Sequence, residues 1–171
     1  CDNLNVVVTL VGDLDPANDD EQSSHCGLTS IPSKTVVGEE RTGTWCGWCP
    51  RGAVGLANME SVTDFIGIAV HNGSNDPMRV SSYDSGINAY IPASFPGGGV
   101  DRVDEGNPSA ANFLAMHNAR KTALVPCDVK NIVATINTST NQISVSADSE
   151  FYGNITGNFR MSCVIVEDDV V

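Results

Sequence analysis

The chain has 171 residues, 41% of them hydrophobic, and carries 9 Lys and Arg against 21 Asp and Glu for a formal charge of −12. That hydrophobic share supports a packed core in one ordinary domain or a small domain with an appendage, and excludes collagen-like or wholly disordered chains. The acidic balance repels phosphate backbones and anionic membranes, which argues against nucleic acid as a partner, and no apolar run is long enough to span a bilayer.

Six cysteines, three lysines and abundant Asn, Ser, Thr and Gly point to an exported protein in an oxidising, extracytoplasmic compartment. A chain that starts at Cys1 is expected to have been processed or trimmed. Once Cys46 and Cys49 are set aside, Cys1, Cys26, Cys127 and Cys163 allow three pairings. Cys1–Cys26 and Cys127–Cys163 are favoured, because each pair lies within one apparent region. The rival reading makes Cys1 a lipid-bearing residue, as in a processed bacterial lipoprotein; this anchor would leave Cys26 unpaired.

In chain order, "LNVVVTLV" (4–11) predicts a strand from its β-branched density. "GDLDPANDDEQSSHCG" then reads as an acidic loop, in which Asp13, Asp15, Asn18, Asp19 and Asp20 have the oxygen chemistry for calcium. Their spacing is not that of an EF-hand and Pro16 interrupts it, so a solvated loop is the expectation. "KTVVGEERT" (34–42) is a second strand that runs into "TWCGWCP". "RGAVGLANMESV" predicts a helix weakened by Gly52 and Gly55, and "DFIGIAVHN" (64–72) a strand buried on both faces. A short helix is expected within 77–90, and a proline-led strand around Val100–Val103. "NPSAANFLAMHNARKTAL" (107–124) is the clearest helix, with Asn107 as cap and Pro108 in the first position. Beyond Pro126, "DVKNIVATIN", "NQISVSAD" and "NFRMSCVIVED" read as three strands. Three strands bury one face poorly, so this β module is expected to be completed by more chain or by another chain.

Cys46 and Cys49 therefore fall between a strand and a helix. Free amides and the helix dipole at that position favour a thiolate, and the i, i+3 spacing lets both sulfurs close on one turn. Cys46 is read as the attacking thiol and Cys49 as the resolving one. Pro50 fits the first turn, where an amide hydrogen would lack an intrahelical partner.

"TWCGWCP" after a β strand resembles the thioredoxin superfamily. "VVGEERTGTWCGWCPRG", "IAVHNG", "FPGGGVDR" and "VIVEDDVV" resemble a narrower group, the bacterial surface proteins related to a twenty-eight-kilodalton outer-membrane protein. The resemblance covers roughly residues 35–171. It implies an α/β fold: a thioredoxin-like domain with a central mixed sheet flanked by helices (35–125), followed by an incomplete antiparallel β-sandwich-like module (126–171). Residues 1–34 form an N-terminal strand and acidic loop outside it. The resemblance makes Cys46 and Cys49 the redox pair. It makes Glu40, six residues before Cys46, the buried acid that moves a proton to and from Cys49. Alternation along the strand allows only one of Glu39 and Glu40 to point inward. The cis-proline facing the disulfide would be Pro96, with Pro92 as the alternative. Trp45 and Trp48 would form an apolar rim for a partner polypeptide, or serve as packing cover.

The resemblance also implies a hairpin partner between the proline-led strand and the last helix. Only "DEGNPS" lies there, so that edge is expected to stay open or to be filled by the strand at 4–11. Gly-Trp between the cysteines lacks the histidine of strongly oxidising relatives, which leans the site toward reductase or general exchange behaviour.

Zinc is disfavoured, because "HC" at 25–26 has no second ligand pair. His71 and His117 read as a strand-end and a helix-surface histidine, and "PGGGV" lacks the Lys-Ser/Thr of a phosphate-binding loop. No cofactor and no metal are implied. The predicted function is thiol-disulfide exchange with protein thiols or disulfides at the bacterial outer membrane, cell surface or outside the cell. The alternative is a non-catalytic binding, adhesive or assembly module that keeps a structural Cys46–Cys49 disulfide and engages a surface-protein partner.

Overall fold

The computed structural model describes residues 2–7, 20–25, 27–91 and 93–168, with side chains from residue 27 onward. Two compact units form, one on Lys34–Ala123 with the C-terminal residues from Val166 and the other on Leu124–Ile165 with the N-terminal residues up to Ser33.

In the N-terminal residues, β1 (Asp2–Val7) pairs antiparallel with β2 (Asp20–His25), from Asp2 opposite His25 to Val7 opposite Asp20. Residues 20–25, read from sequence as loop, are therefore a strand. Their polar side chains carry little strand signal, and backbone pairing with β1 supplies the ladder instead. Cys1, Cys26, Asp13, Asp15, Asn18 and Asp19 lie outside the described residues, and with them the Cys1–Cys26 pairing and most of the calcium reading.

The larger unit runs β3 (Val36–Thr42), α1 (Pro50–Met59), β4 (Phe65–His71), α2 (Ser81–Ile87), β5 (Gly97–Val100), β6 (Asp104–Gly106) and α3 (Ala110–Arg120). Its sheet has the order β4-β3-β5-β6, with β3 parallel to β4 and antiparallel to β5, and β5 antiparallel to β6. The "DEG" that sequence reasoning took for a spacer is thus the fourth strand. A turn at Asp101 and Arg102, both at positive φ (52° and 56°), folds it back on β5. β6 occupies that place beside β5, while Leu4–Val7, the described part of the strand expected at 4–11, pairs with β2.

One core cluster joins Val36, Met59, Val100 and Phe113 on the α1 and α3 side. The other joins Ile68, Val70, Ile87 and Ile91 on the α2 side. The apolar β4 sits at the sheet edge with Ile66 47% exposed, so it is not buried on both faces. The charged β3 is the central strand, covered from both sides. Continuous apolarity reports how much a strand buries, but its place in the strand order decides which strand is covered twice.

α3 starts later than predicted. Ser109, with φ −79° and ψ 154°, is the cap, and its hydroxyl accepts from the Asn112 amide at 3.4 Å. Pro108 stays outside the helix because it is buried where a side chain on Gly55 of α1 or Gly98 of β5 would meet it. His117 is buried rather than on the helix surface, with Nε2 2.9 Å from Asp64 Oδ1 and its ring 6.1 Å from that of Phe65.

In the smaller unit β7 (Cys127–Asn137) and β8 (Gln142–Phe151) form a two-stranded antiparallel sheet with an irregularity between Lys130 and Val133. The described residues 158–168 hold no strand, so the predicted third strand and the sandwich-like packing are absent among them. Phe159, Met161 and Ile165 alternate as a strand would but are exposed, because no neighbouring edge pairs with them. Cys127 and Cys163 are both free, which overturns that pairing. Without a third strand, no register brings the two sulfurs together.

Candidate functional site

A run of tight turns carries the chain from β3 into α1. The Cys46 amide donates to the Gly43 carbonyl at 2.9 Å, the Cys49 amide to Cys46 at 3.2 Å, and the Gly52 amide to Cys49 at 2.9 Å. Cys49 is the N-cap of α1 and Pro50 the first helical residue, where the missing N–H costs nothing. Cys46 and Cys49 are joined in a disulfide with Cα atoms 5.4 Å apart. Cys46 is half-buried while Cys49 is 3% exposed, so an incoming sulfur has access to Cys46 alone. The first-turn amides are less available than the sequence suggests. Pro50 has none, and those of Arg51 and Gly52 already donate to Trp48 and Cys49 carbonyls. The helix dipole is what remains to favour a thiolate here.

Beneath the first turn lies Glu40. It is fully buried at 0% exposure, and neither carboxyl oxygen has a well-formed hydrogen bond, Thr42 being its one weak side-chain neighbour of that kind. Burial pushes its pKa from 4.5 up to about 7, against a smaller opposing pull from Thr42. The carboxyl occupies the space that a side chain on Gly52 would fill, since a Cβ there would overlap Glu40 Oε1. Gly52 is three residues beyond Cys49, so the acid reaches the helix one turn from the inner cysteine. Glu39 is buried as well, on the other face, where it accepts from the Tyr83 hydroxyl at 2.5 Å and from Arg102 Nη2 at 2.8 Å. The expectation that only one of the two would be inward fails because β3 is covered on both sides.

The two tryptophans have different surroundings. Trp45 Nε1 donates to the Asn72 carbonyl at 2.6 Å, and the indole meets Phe95 edge-on at 5.0 Å. Arg41 lies over the Phe95 ring at 4.7 Å. Trp48 is 72% exposed and stands beside an open groove of about 450 Å³. Across that groove lie Phe95 and Pro96, and the Phe95–Pro96 peptide bond is cis. Pro92 lies outside the described residues. Cys46, Cys49, Glu40, Trp45, Trp48 and Pro96 thus all belong to one end of the larger unit, around the start of α1.

Sequence reasoning missed the brace behind the cysteine loop. Asp76, buried, accepts from the Thr44 amide at 2.8 Å, the Met78 amide at 3.0 Å and His71 Nδ1 at 3.0 Å. Burial alone would raise its pKa, but the hydrogen bonds from His71, Thr44 and Met78 outweigh that and hold the carboxyl below the usual range. Asp84 similarly accepts from Asn72 Nδ2 at 2.5 Å and Arg79 Nε at 2.7 Å, steadying the residue that anchors Trp45. "HNGSNDP" shows polar turn chemistry, but nothing local links it to Thr44, 32 positions away from Asp76. Among the described residues, no group of three or more His, Cys, Asp or Glu side chains is placed to hold a metal ion. Nor is any helix there long and apolar enough to cross a membrane.

No family model and no curated protein matches the chain. Among solved structures, HBP35 of Porphyromonas gingivalis is similar at 24% identity and a TM-score of 0.49; the alignment covers 60% of this chain and 38% of that one. The chain therefore matches well under half of that protein's length.

Proposed function

We propose that the unit built on Lys34–Ala123 is a thioredoxin-like domain that exchanges disulfides with cysteine-bearing client proteins through Cys46 and Cys49. We place this activity outside the cytoplasm, at a bacterial cell surface or outer membrane or in the secreted fraction. The element order and the antiparallel β5–β6 hairpin before α3 are those the resemblance to thioredoxins implies. The observation that carries the reading is Glu40, a carboxyl buried at 0% exposure with only a weak pull from Thr42 to offset its burial, set against Gly52 one turn from Cys49.

In the reducing direction the Cys46 thiolate attacks one sulfur of a client disulfide. A mixed disulfide forms and the client's other sulfur leaves as a thiolate. Cys49 then gives its proton to Glu40 and attacks Cys46 Sγ, closing the Cys46–Cys49 bond and releasing the second client thiolate. The client gains two electrons and the pair loses two. A base near neutral pKa suits that proton transfer, being neither permanently charged nor permanently protonated at working pH. The reverse sequence, starting from the closed disulfide, oxidises a client dithiol.

Equilibration with glutathione buffers followed by thiol titration tests this. The expected result is a Cys46–Cys49 couple that titrates within the physiological range, with Cys46 alkylated at low pH. Cys49→Ser should accumulate mixed disulfides with clients. A pair that resists reduction until the protein unfolds sinks the redox reading. That outcome would favour the second reading, a binding or assembly module with a structural disulfide. The exposed Ile132, Ile136 and Ile143 of the β7–β8 sheet speak for that alternative.

A further inference from the structure

We propose that the groove beside the disulfide selects client segments with a carboxylate side chain next to the reacting cysteine, and that Arg51 is the selecting residue. The inference rests on the exchange reading above and names its substrate class.

The groove is bounded by Trp48 and Arg51 at the start of α1 and by Ser94, Phe95, Pro96 and Asn107 opposite. Arg51 is the single charged residue among those that line it, and it is exposed. The other cations of this unit are largely neutralised. Lys34 and Arg120 pair with Asp101, Arg79 with Asp84, and Arg102 with Glu39. Arg51 forms no ion pair among the described residues, although the chain holds 21 acidic residues. A guanidinium left without an internal acid presents a planar fork that matches a carboxylate in two parallel hydrogen bonds. Trp48 and Phe95 supply apolar walls for the rest of the client segment, and Phe95 is itself held between Trp45 and Arg41. Arg51 follows Cys49 in the first turn of α1, and Cys49 is bonded to Cys46 with Cα atoms 5.4 Å apart, which sets the guanidinium near the sulfur that the client cysteine attacks. The overall charge of −12 disfavours acidic clients at long range, which makes the local cation the one element that can reverse the choice.

The test uses the full chain in its disulfide form and two thiol peptides that differ only in Glu or Gln beside the cysteine. Second-order exchange rates are compared for the wild type and for Arg51→Gln. Taking the ratio of ratios cancels the effect of the neighbour on the peptide thiol, and measurement at high ionic strength screens the one-unit change in overall charge. An exposed charge pair predicts that the Glu-over-Gln preference falls about 1.5-fold to fivefold in Arg51→Gln. An unchanged preference overturns the proposal. If neither peptide exchanges with wild type, the redox reading has failed and the groove is examined alone. Serine-containing versions of both peptides are then titrated while the Trp48 indole resonance is followed. A shift with the Glu peptide that is lost in Arg51→Gln supports acidic selection; equal response to both peptides overturns it.

Discussion

Replacing Glu40 with glutamine probes the buried carboxyl directly. In the native fold the group binds its proton with a pKa of about 7, against 4.5 ordinarily. The folded state therefore keeps a proton that the unfolded chain releases. Its contribution to stability is fully present below 4.5 and is lost as pH rises through about 7. A tenfold change in proton affinity is about 1.4 kcal/mol, so this carboxyl costs about 3 kcal/mol of stability by pH 8 relative to pH 4.5. Glutamine has nearly the same shape and stays neutral, so it should match the wild type at pH 4.5 to within about 1 kcal/mol. By pH 8 it should be more stable by about 2–3 kcal/mol. Urea unfolding followed by tryptophan fluorescence measures both, with the Cys46–Cys49 disulfide intact so that neither thiol titrates. Other ionisable groups affect both proteins alike and drop out of the difference. If the gap between Glu40→Gln and wild type is the same at pH 4.5 and pH 8, the carboxyl is not held neutral by burial and the reasoning is wrong.

Three further outcomes follow from the same contacts. Gly52→Ala would gain helix propensity, yet its Cβ would overlap Glu40 Oε1, so a net loss of about 1–3 kcal/mol is expected. That loss should shrink in a Glu40→Ala background, and strict additivity in a double-mutant cycle would deny the contact. Asp76→Ala should cost about 2–3 kcal/mol at pH 7 by leaving the Thr44 and Met78 amides without their acceptor, with faster hydrogen exchange at both amides as the readout. Because the Asp76 pKa is lowered, part of that loss should vanish as pH falls through the carboxylate range, which unfolding at pH 3 checks. Trp45→Ala should lower stability by about 1–2 kcal/mol, whereas Trp48→Ala should change it by less than about 0.5 kcal/mol and instead slow peptide exchange. Equal stability losses in thermal unfolding would contradict their surroundings, since Trp45 bonds Asn72 and packs on Phe95 while Trp48 stands 72% exposed.

The order of elements around the cysteines was legible in the chain itself. A β-branched run, a cysteine pair at i, i+3, a proline and then a helical pattern are local signals, and β3, Cys49 as cap and α1 follow from them. The same holds for β4 and for most of α3. What local pattern could not convey is who pairs with whom. β6 is three residues long and becomes a strand only because the left-handed turn at Asp101 and Arg102 lays it against β5. A strand at 158–168 was predicted from clean alternation and is missing for the opposite reason: no edge receives it. Burial follows the same rule. β4 is rich in Ile and Val yet lies at the edge, while β3 carries two glutamates and an arginine into the middle of the sheet. Only packing on both faces of β3 makes Glu40 a buried acid with little to offset its desolvation and gives Glu39 its bonds to Tyr83 and Arg102. Residue identity and spacing set the chemistry available near Cys46 and Cys49. The tertiary fold decided which of those groups are dry, paired or exposed, because solvent exclusion and strand pairing are set by residues far apart in the chain.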